Sequence, residues 1–326
     1  MDREKGWVWF RLPESKEKKM FLEGEGEETF HFVNFESTQK LQLKGAVLAF
    51  DSSREFSYSR RSIAKANTTK EAHAEAINSA KSQMATGALN KVVLSRVKHE
   101  HAENLAPLDI FNALCDQYPK AFCYALYHPT SGLWIGATPE LLLKKDGQRY
   151  HTVALAGTKN RNADVDWTQK EFKEKSIVSD YINDALNTVG VQNIETSEVR
   201  DSINGPLVHL KTDIHFQTEM ATEKVLQAIH PTPAVGGNPL DISLELIREL
   251  EAHDRSFYCG YLGLEQAKHS SYFVNLRCMQ VHSDGCTLYA GGGITIDSDP
   301  DKEWDETTSK LAVVGKILKK INEKVQ

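Results

Sequence analysis

The stretch that most constrains this chain runs over residues 290–311. Ala290 and the triplet Gly291-Gly292-Gly293 close an apolar run, Asp297-Ser298-Asp299-Pro300 make a turn, and a charged segment follows. Asp299 suits a helix N-cap and Pro300 the first helical position, while Val313, Val314, Ile317, Leu318 and Ile321 carry on with helical period. Steps of three and four residues join Glu303, Glu306, Lys310, Val314, Ile317 and Ile321. The charges therefore extend the apolar stripe, where an ordinary surface helix would set them on the opposite face. This predicts a helix that points two carboxylates and an ammonium at the end of a core, beside a glycine turn. Acidic residues are also favoured in any first helical turn by the macrodipole, so the pattern gains weight only if it recurs.

It recurs at Glu171 and Glu174, which open a second predicted helix whose face continues through Val178, Tyr181 and Ala185. Two helices that each turn a glutamate pair toward their apolar side are costly unless the charge is compensated. A hard cation is the simplest compensation. Magnesium takes oxygen ligands, keeps several waters, and is often held by one or two carboxylates plus an anionic substrate.

Other chemistry-bearing residues sit at element ends. Lys91 opens the β-branched run Lys91-Val92-Val93-Leu94-Ser95, where period two puts Lys91, Val93 and Ser95 on one face. It reads as an exposed strand-end lysine or, if buried, as an amine whose lowered pKa makes it a base. Glu140 lies between a turn and the apolar run Leu141-Leu142-Leu143. Desolvation there would favour its protonated, proton-donating form, and a wet strand edge would not. Gly157 and Thr158 end a strand in a small-residue turn that admits a ligand to the backbone. His209, flanked by Val208 and Leu210, reads as a hydrogen-bonded core histidine and is kept among the candidate substrate contacts. The proline- and glycine-rich segment 230–239, with Ala234 at its middle, predicts a rigid loop. Segments 258–263 and 272–278 predict paired strands; Arg277 on the second suits either a fixed anion or a structural ion pair.

With 326 residues the chain can bury a substantial core. A formal net charge of −6 without any long Lys/Arg run argues against a nucleic-acid partner. No apolar run approaches a membrane span, and the first residues lack the hydrophobic segment of a signal peptide, so the expected location is the cytoplasm with no membrane association. Five cysteines without CxxC spacing read as reduced and structural. Neither GxGxxG nor GxxxxGK[ST] occurs. At the N-terminus, residues 6–10 and 46–50 predict buried strands, and the charged, glycine-containing stretch 14–28 predicts a loop.

Taken in order, KVVLSR, GATPELLL, ALAGT, KEFKE, HPTPAVGGNP, FYCGYLG, LRC, AGGGI and EWDETTSKL resemble the chorismate-utilising enzymes, the family of isochorismate, salicylate, anthranilate and aminodeoxychorismate synthases. The resemblance covers residues 70–321. It implies an α+β fold in which antiparallel β-sheets form a central sandwich with helices outside. It also implies one chorismate-binding domain over 1–326, of which 1–60 would be an abbreviated N-terminal part. Glu174 and Glu306 would coordinate magnesium, with Glu171 and Glu303 acting through water. Arg277 and Tyr258 would hold the enolpyruvyl carboxylate, and Gly157, Thr158, Gly291, Gly292, Gly293 and Lys310 the rest of chorismate.

The same resemblance separates the reactions. Members that add water carry a lysine where Lys91 stands and Leu-Ala-Gly-Thr at 155–158, as here. The expectation is an isochorismate synthase, an isomerase in which Lys91 deprotonates water attacking C2 and Glu140 protonates the departing C4 hydroxyl. Salicylate synthases share these groups and go on to eliminate pyruvate; Ala234, where lyases carry threonine, favours stopping at isochorismate. A chorismate-binding protein without catalysis is the remaining alternative, against which the joint presence of an acid and a base argues. No amidotransferase subunit is implied, and a monomer is the family default. Lys175 stands where a histidine is common; helical geometry turns it away from Glu174 by about 100°.

Overall fold

The computed structural model describes residues 5–59, 67–102, 105–161, 166–204 and 207–325. Among the described residues sixteen strands join one hydrogen-bonded sheet, and every strand pairing is antiparallel. From one edge the order is Arg200–Asn204, Leu207–Gln217, Arg149–Asn160, Leu141–Asp146, His269–Val274, Tyr261–Glu265 and Lys19–Val33. It continues through Trp7–Arg11, Phe122–His128, Gly132–Thr138, Cys278–His282, Gly285–Ile294, Lys91–His101 and the two-residue Gly237–Asn238. Lys40–Ala49 pairs with Lys19–Val33, and Gln192–Thr196 with Leu207–Gln217. The helices are α1 (Lys70–Ala85), α2 (Pro107–Gln117), α3 (Gln169–Thr188), α4 (Thr222–Ile229), α5 (Leu240–Leu250) and α6 (Pro300–Val325).

The central strands read as continuous apolar runs because both of their faces are buried. Along Phe122–His128, Phe122, Tyr124 and Leu126 enter one apolar cluster, and Cys123, Ala125 and Tyr127 the other. The second cluster is covered by α2 and α6 through Ile110, Phe111, Leu114, Val314 and Ile317. The first is filled from both halves of the sheet. Phe122 stacks on Phe273 with ring centroids 4.4 Å apart, although several strands separate them in the hydrogen-bonded order. The sheet therefore closes on itself as a sandwich, which matches the expected α+β fold.

Four local expectations need correction, the first being that residues 46–49 end the strand Lys40–Ala49 without being buried, Leu48 standing 39 % exposed. Residues 19–33 form a strand, and only part of the expected loop lies before it. Its register breaks between Glu23 and Glu28, where the Glu23 carboxylate accepts the Gly6 amide at 2.5 Å and Glu28 accepts that of Val47. A Cβ on Gly26 would lie 1.9 Å from the Gly45 carbonyl oxygen. Charge and glycine here serve a bulge in the ladder. Tyr258 precedes the strand that starts at Tyr261, and Arg277 follows the strand that ends at Val274. Both strands stop there because Asn275 is tied inward, accepting from the Tyr124 hydroxyl at 2.5 Å and donating to the Phe257 carbonyl at 2.9 Å. Arg277 itself adopts φ 50. Among the described residues no helix is long and apolar enough to cross a membrane, and all five cysteines are free and buried.

Candidate active site

One cleft gathers Lys91, Glu140, Gly157, Glu171, Glu174, His209, Ala234, Tyr258, Arg277, Gly291, Gly293, Glu303, Glu306 and Lys310. Residues up to 219 positions apart in the chain meet there, from Lys91 to Lys310. Gly292 lies behind Glu303. The Thr158 side chain is outside the described residues, although its backbone belongs to the strand Arg149–Asn160.

The glycine triplet explains how the strand Gly285–Ile294 can form the floor. A Cβ on Gly291 would stand 3.1 Å from the Tyr258 hydroxyl, one on Gly292 2.9 Å from a Glu303 carboxylate oxygen, and one on Gly293 2.9 Å from Lys91 Cε. Each glycine leaves room for one polar side chain of the cleft. Gly157, at φ +71, does the same for α3: a Cβ there would crowd the Glu171 side chain at 3.1 Å. His209 Nδ1 donates to the Gly157 carbonyl at 3.0 Å, so the core reading and the cleft reading of His209 both hold. Burial keeps that imidazole neutral, with its pKa down to about 4.

Lys91 and Glu140 are 4 % and 9 % exposed. The lysine backbone is pinned by pairing with Asn238 and by the Ser243 hydroxyl, which donates to its carbonyl at 3.1 Å. Desolvation drives the Lys91 pKa below that of a free ammonium, opposed first by the field of Glu174. Glu140 is fixed by its backbone, the carbonyl accepting from the Val274 amide at 3.0 Å. Desolvation raises its carboxyl to about 7, with Lys91, Arg277 and Lys310 opposing the rise. A buried amine pushed toward neutrality thus shares a cleft with a buried carboxyl pushed toward protonation, the condition for general base and general acid.

The α6 acids are held firmly. The Ser298 hydroxyl donates to Glu303 at 2.8 Å, and Lys310 pairs with Glu306 at 2.7 Å while donating to the Gly291 carbonyl at 2.8 Å. Lys310 is also the main reason the Glu306 pKa is lowered. Asp299 caps the helix through the Lys302 amide at 3.0 Å. On α3, Glu171 accepts the Thr168 amide and hydroxyl at 2.8 and 2.6 Å. Lys175 is buried but does not line the cleft, as its position on the helix implied.

Five carboxyl groups and three cationic side chains face this cleft. Among the described residues no three His, Cys, Asp or Glu side chains converge as a ready chelate. The donor set suits a hard divalent cation that two carboxylates hold together with an anionic substrate and water, because such an ion offsets the surplus of acids.

Sequence reasoning missed the support beneath the floor. Arg255 donates to both oxygens of Glu251 at 2.6 and 2.8 Å and to the carbonyls of Val93 at 2.6 Å and Val235 at 2.9 Å. Ser95 completes the cluster, donating to Glu251 through its amide at 2.6 Å and its hydroxyl at 2.9 Å. One buried guanidinium therefore ties the Lys91 strand to the loop that carries Ala234. No helical spacing announced it, because Glu251 and Arg255 lie beyond the end of α5.

Residues 22–319 match the family described as chorismate binding enzyme. The chain belongs to that family. A Mycobacterium tuberculosis relative bearing the name MenF is 32% identical over 253 residues, covering 70% of this chain and 67% of that protein. Isochorismate synthase EntC of Escherichia coli is 29% identical over 246 residues, covering 71% and 62%. The chain thus spans about two thirds of the length of these relatives. The solved structure of MenF, the menaquinone-specific isochorismate synthase of Escherichia coli, superposes with a TM-score of 0.84 at 20% identity, covering 97% of this chain and 89% of that one. The family match begins well before residue 70, so part of the N-terminal region belongs to the family pattern.

Proposed function

We propose that this chorismate-binding enzyme is a magnesium-dependent isochorismate synthase. The observation that carries the reading is the pair of oppositely perturbed groups, Lys91 and Glu140, in one cleft that also holds Arg277, Lys310 and four further glutamates. Relatives at about 30% identity that are named isochorismate synthases support the same reading.

Neutral Lys91 takes a proton from the water that attacks C2 of chorismate, and Glu140 gives a proton to the hydroxyl leaving C4. One water enters and one leaves, so the product is an isomer. The lysine proton returns to the carboxylate between turnovers. Arg277 and Tyr258 hold the enolpyruvyl carboxylate, and the cleft supplies orientation. Glu174 and Glu306 would hold the magnesium, with Glu171 and Glu303 behind water; when bound, the ion fixes the ring carboxylate and offsets negative charge in the transition state.

The test is an NMR time course of chorismate with the purified protein and magnesium, with EDTA as control. The reading expects isochorismate rising to a plateau without pyruvate, and no turnover with EDTA. Pyruvate and salicylate growing in step would replace it with a salicylate synthase. Binding of chorismate without turnover would replace it with a non-catalytic binding protein.

A further inference from the structure

Arg277 belongs to two clefts. Besides the site described above, it lines a second cleft with Gln117, Lys120, Arg161, Ile203 and Val313, and the two clefts meet at Pro139, His209 and Arg277. Their characters differ. Five carboxyl groups line the first; among the described residues no Asp or Glu lines the second, where the charged side chains are Lys120, Arg161 and Arg277. Apolar Ala121, Ala137, Ile203 and Val313 make up much of its wall. Lys120, Arg161 and Ile203 are exposed and form its outer part, while Arg277 Nη1 is buried without a hydrogen-bond partner. A third cleft shares Lys120 and Ile203 with the second but mixes Glu14, Asp201 and Glu140 with its cations. A cationic, partly apolar passage on a chain of net charge −6 matches a small cyclic dicarboxylate.

The geometry points to this second cleft as the entry vestibule for a ring-bearing dianion, captured by Lys120 and Arg161 and passed to Arg277 at the junction. The assignment rests on the chorismate reading for the identity of the dianion. Two solvent-facing cations at the mouth raise the local concentration of an anion before it meets the acid-rich site, and salt weakens that attraction. The apolar wall accommodates the ring during passage, and Arg277 receives the carboxylate with its unsatisfied edge.

The experiment compares Lys120→Glu, Arg161→Glu and Lys268→Glu with the unaltered protein in turnover of chorismate and in stopped-flow association of chorismate, at low and high salt. Lys268 is exposed and lines none of these clefts. It lies beyond the far end of the strand Leu141–Asp146, roughly 20 Å from Glu140 by strand length, so it controls for overall charge. The vestibule predicts that each of the first two reversals lowers kcat/KM and the association rate constant about tenfold at low salt, flattens their salt dependence, and spares kcat. The Lys268 variant should behave as the unaltered protein. Equal losses in all three variants, or none in the first two while turnover proceeds, would overturn it. Salt-dependent association without turnover, abolished by the two reversals, would leave the vestibule standing and remove the isochorismate reading. Absence of any association would remove both.

Discussion

The two helices that bring acid pairs to the cleft look alike in sequence and are held differently. On α6, Glu303 is 8 % exposed and accepts from Ser298, and Glu306 is paired with Lys310, which also grips the glycine floor. One turn away the Arg96 guanidinium lies 3.6 Å over the Trp304 ring and donates to Thr307 and Thr308 at 2.7 and 2.6 Å. On α3, Glu171 is only half-buried and accepts from Thr168 just before the helix, and Phe172 beside it is 44 % exposed. The α6 pair is thus tied to the sheet, Glu306 through Lys310 and the Gly291 carbonyl and the helix itself through Arg96 of the strand Lys91–His101, whereas the Glu171 contacts with Thr168 are local. On the magnesium reading proposed above, α6 would present a preset half of the site and α3 the more adjustable half. Preset ligands lower the ordering cost of binding, and adjustable ones let the ion and substrate enter.

The sharpest break of this comparison is to remove one central carboxylate from each side. Glu306→Gln is expected to lower kcat/KM on the order of a thousandfold, with no recovery at high magnesium, because the amide also releases Lys310 from its partner. Glu174→Gln should cost a similar factor at low magnesium and recover in part as magnesium is raised. Rates over a magnesium titration check both. Equal recovery in the two variants would mean that neither helix is preset.

The pH profile gives a second, smaller test. The Glu306 pKa is lowered, first by Lys310, so that carboxylate contributes no limb near neutrality. Activity should rise with pH as Lys91, whose pKa lies below the usual ammonium value, loses its proton. It should fall above about pH 7 as Glu140 loses its own. Such limbs belong to the pair and not to either residue alone. Glu140→Gln should abolish the alkaline limb together with nearly all turnover. An acidic limb that moves with magnesium concentration would instead place a titrating group on α3.

Much of this was legible in the chain, and the reason is physical. The two helical acid stripes are local patterns whose period fixes a face, so Glu303, Glu306, Glu171 and Glu174 could be placed before any fold was seen, while the strand pattern left Lys91 open between an exposed and a buried position. The Asp299 cap follows from a single turn. The strand breaks at Tyr258 and Arg277 were not legible, because Asn275, 151 residues from Tyr124, enforces them. The long strand at 19–33 was hidden for a related reason: its glutamates cap backbone amides of Gly6 and Val47, which are neighbours only in the folded sheet. Arg255 was missed because its targets, the Val93 and Val235 carbonyls, carry no side-chain signal at all.

The finest test lies in the outer acids. Both Glu303 and Glu171 are assigned to a cation through water, and a symmetric site would lose equally from either amide. The structure argues otherwise. Glu303→Gln removes a buried charge that Ser298 satisfies and that the Gly292 position was kept small to admit; a loss of about 10- to 100-fold in magnesium affinity is expected. Glu171→Gln leaves a side chain that can still accept from Thr168 and that solvent partly screens, so the loss should stay within about threefold. Calorimetric titration of magnesium into each variant, with chorismate-derived product present to complete the site, reads both values. If Glu171→Gln proves the more damaging, α3 is not the adjustable half and the ion is seated from that side.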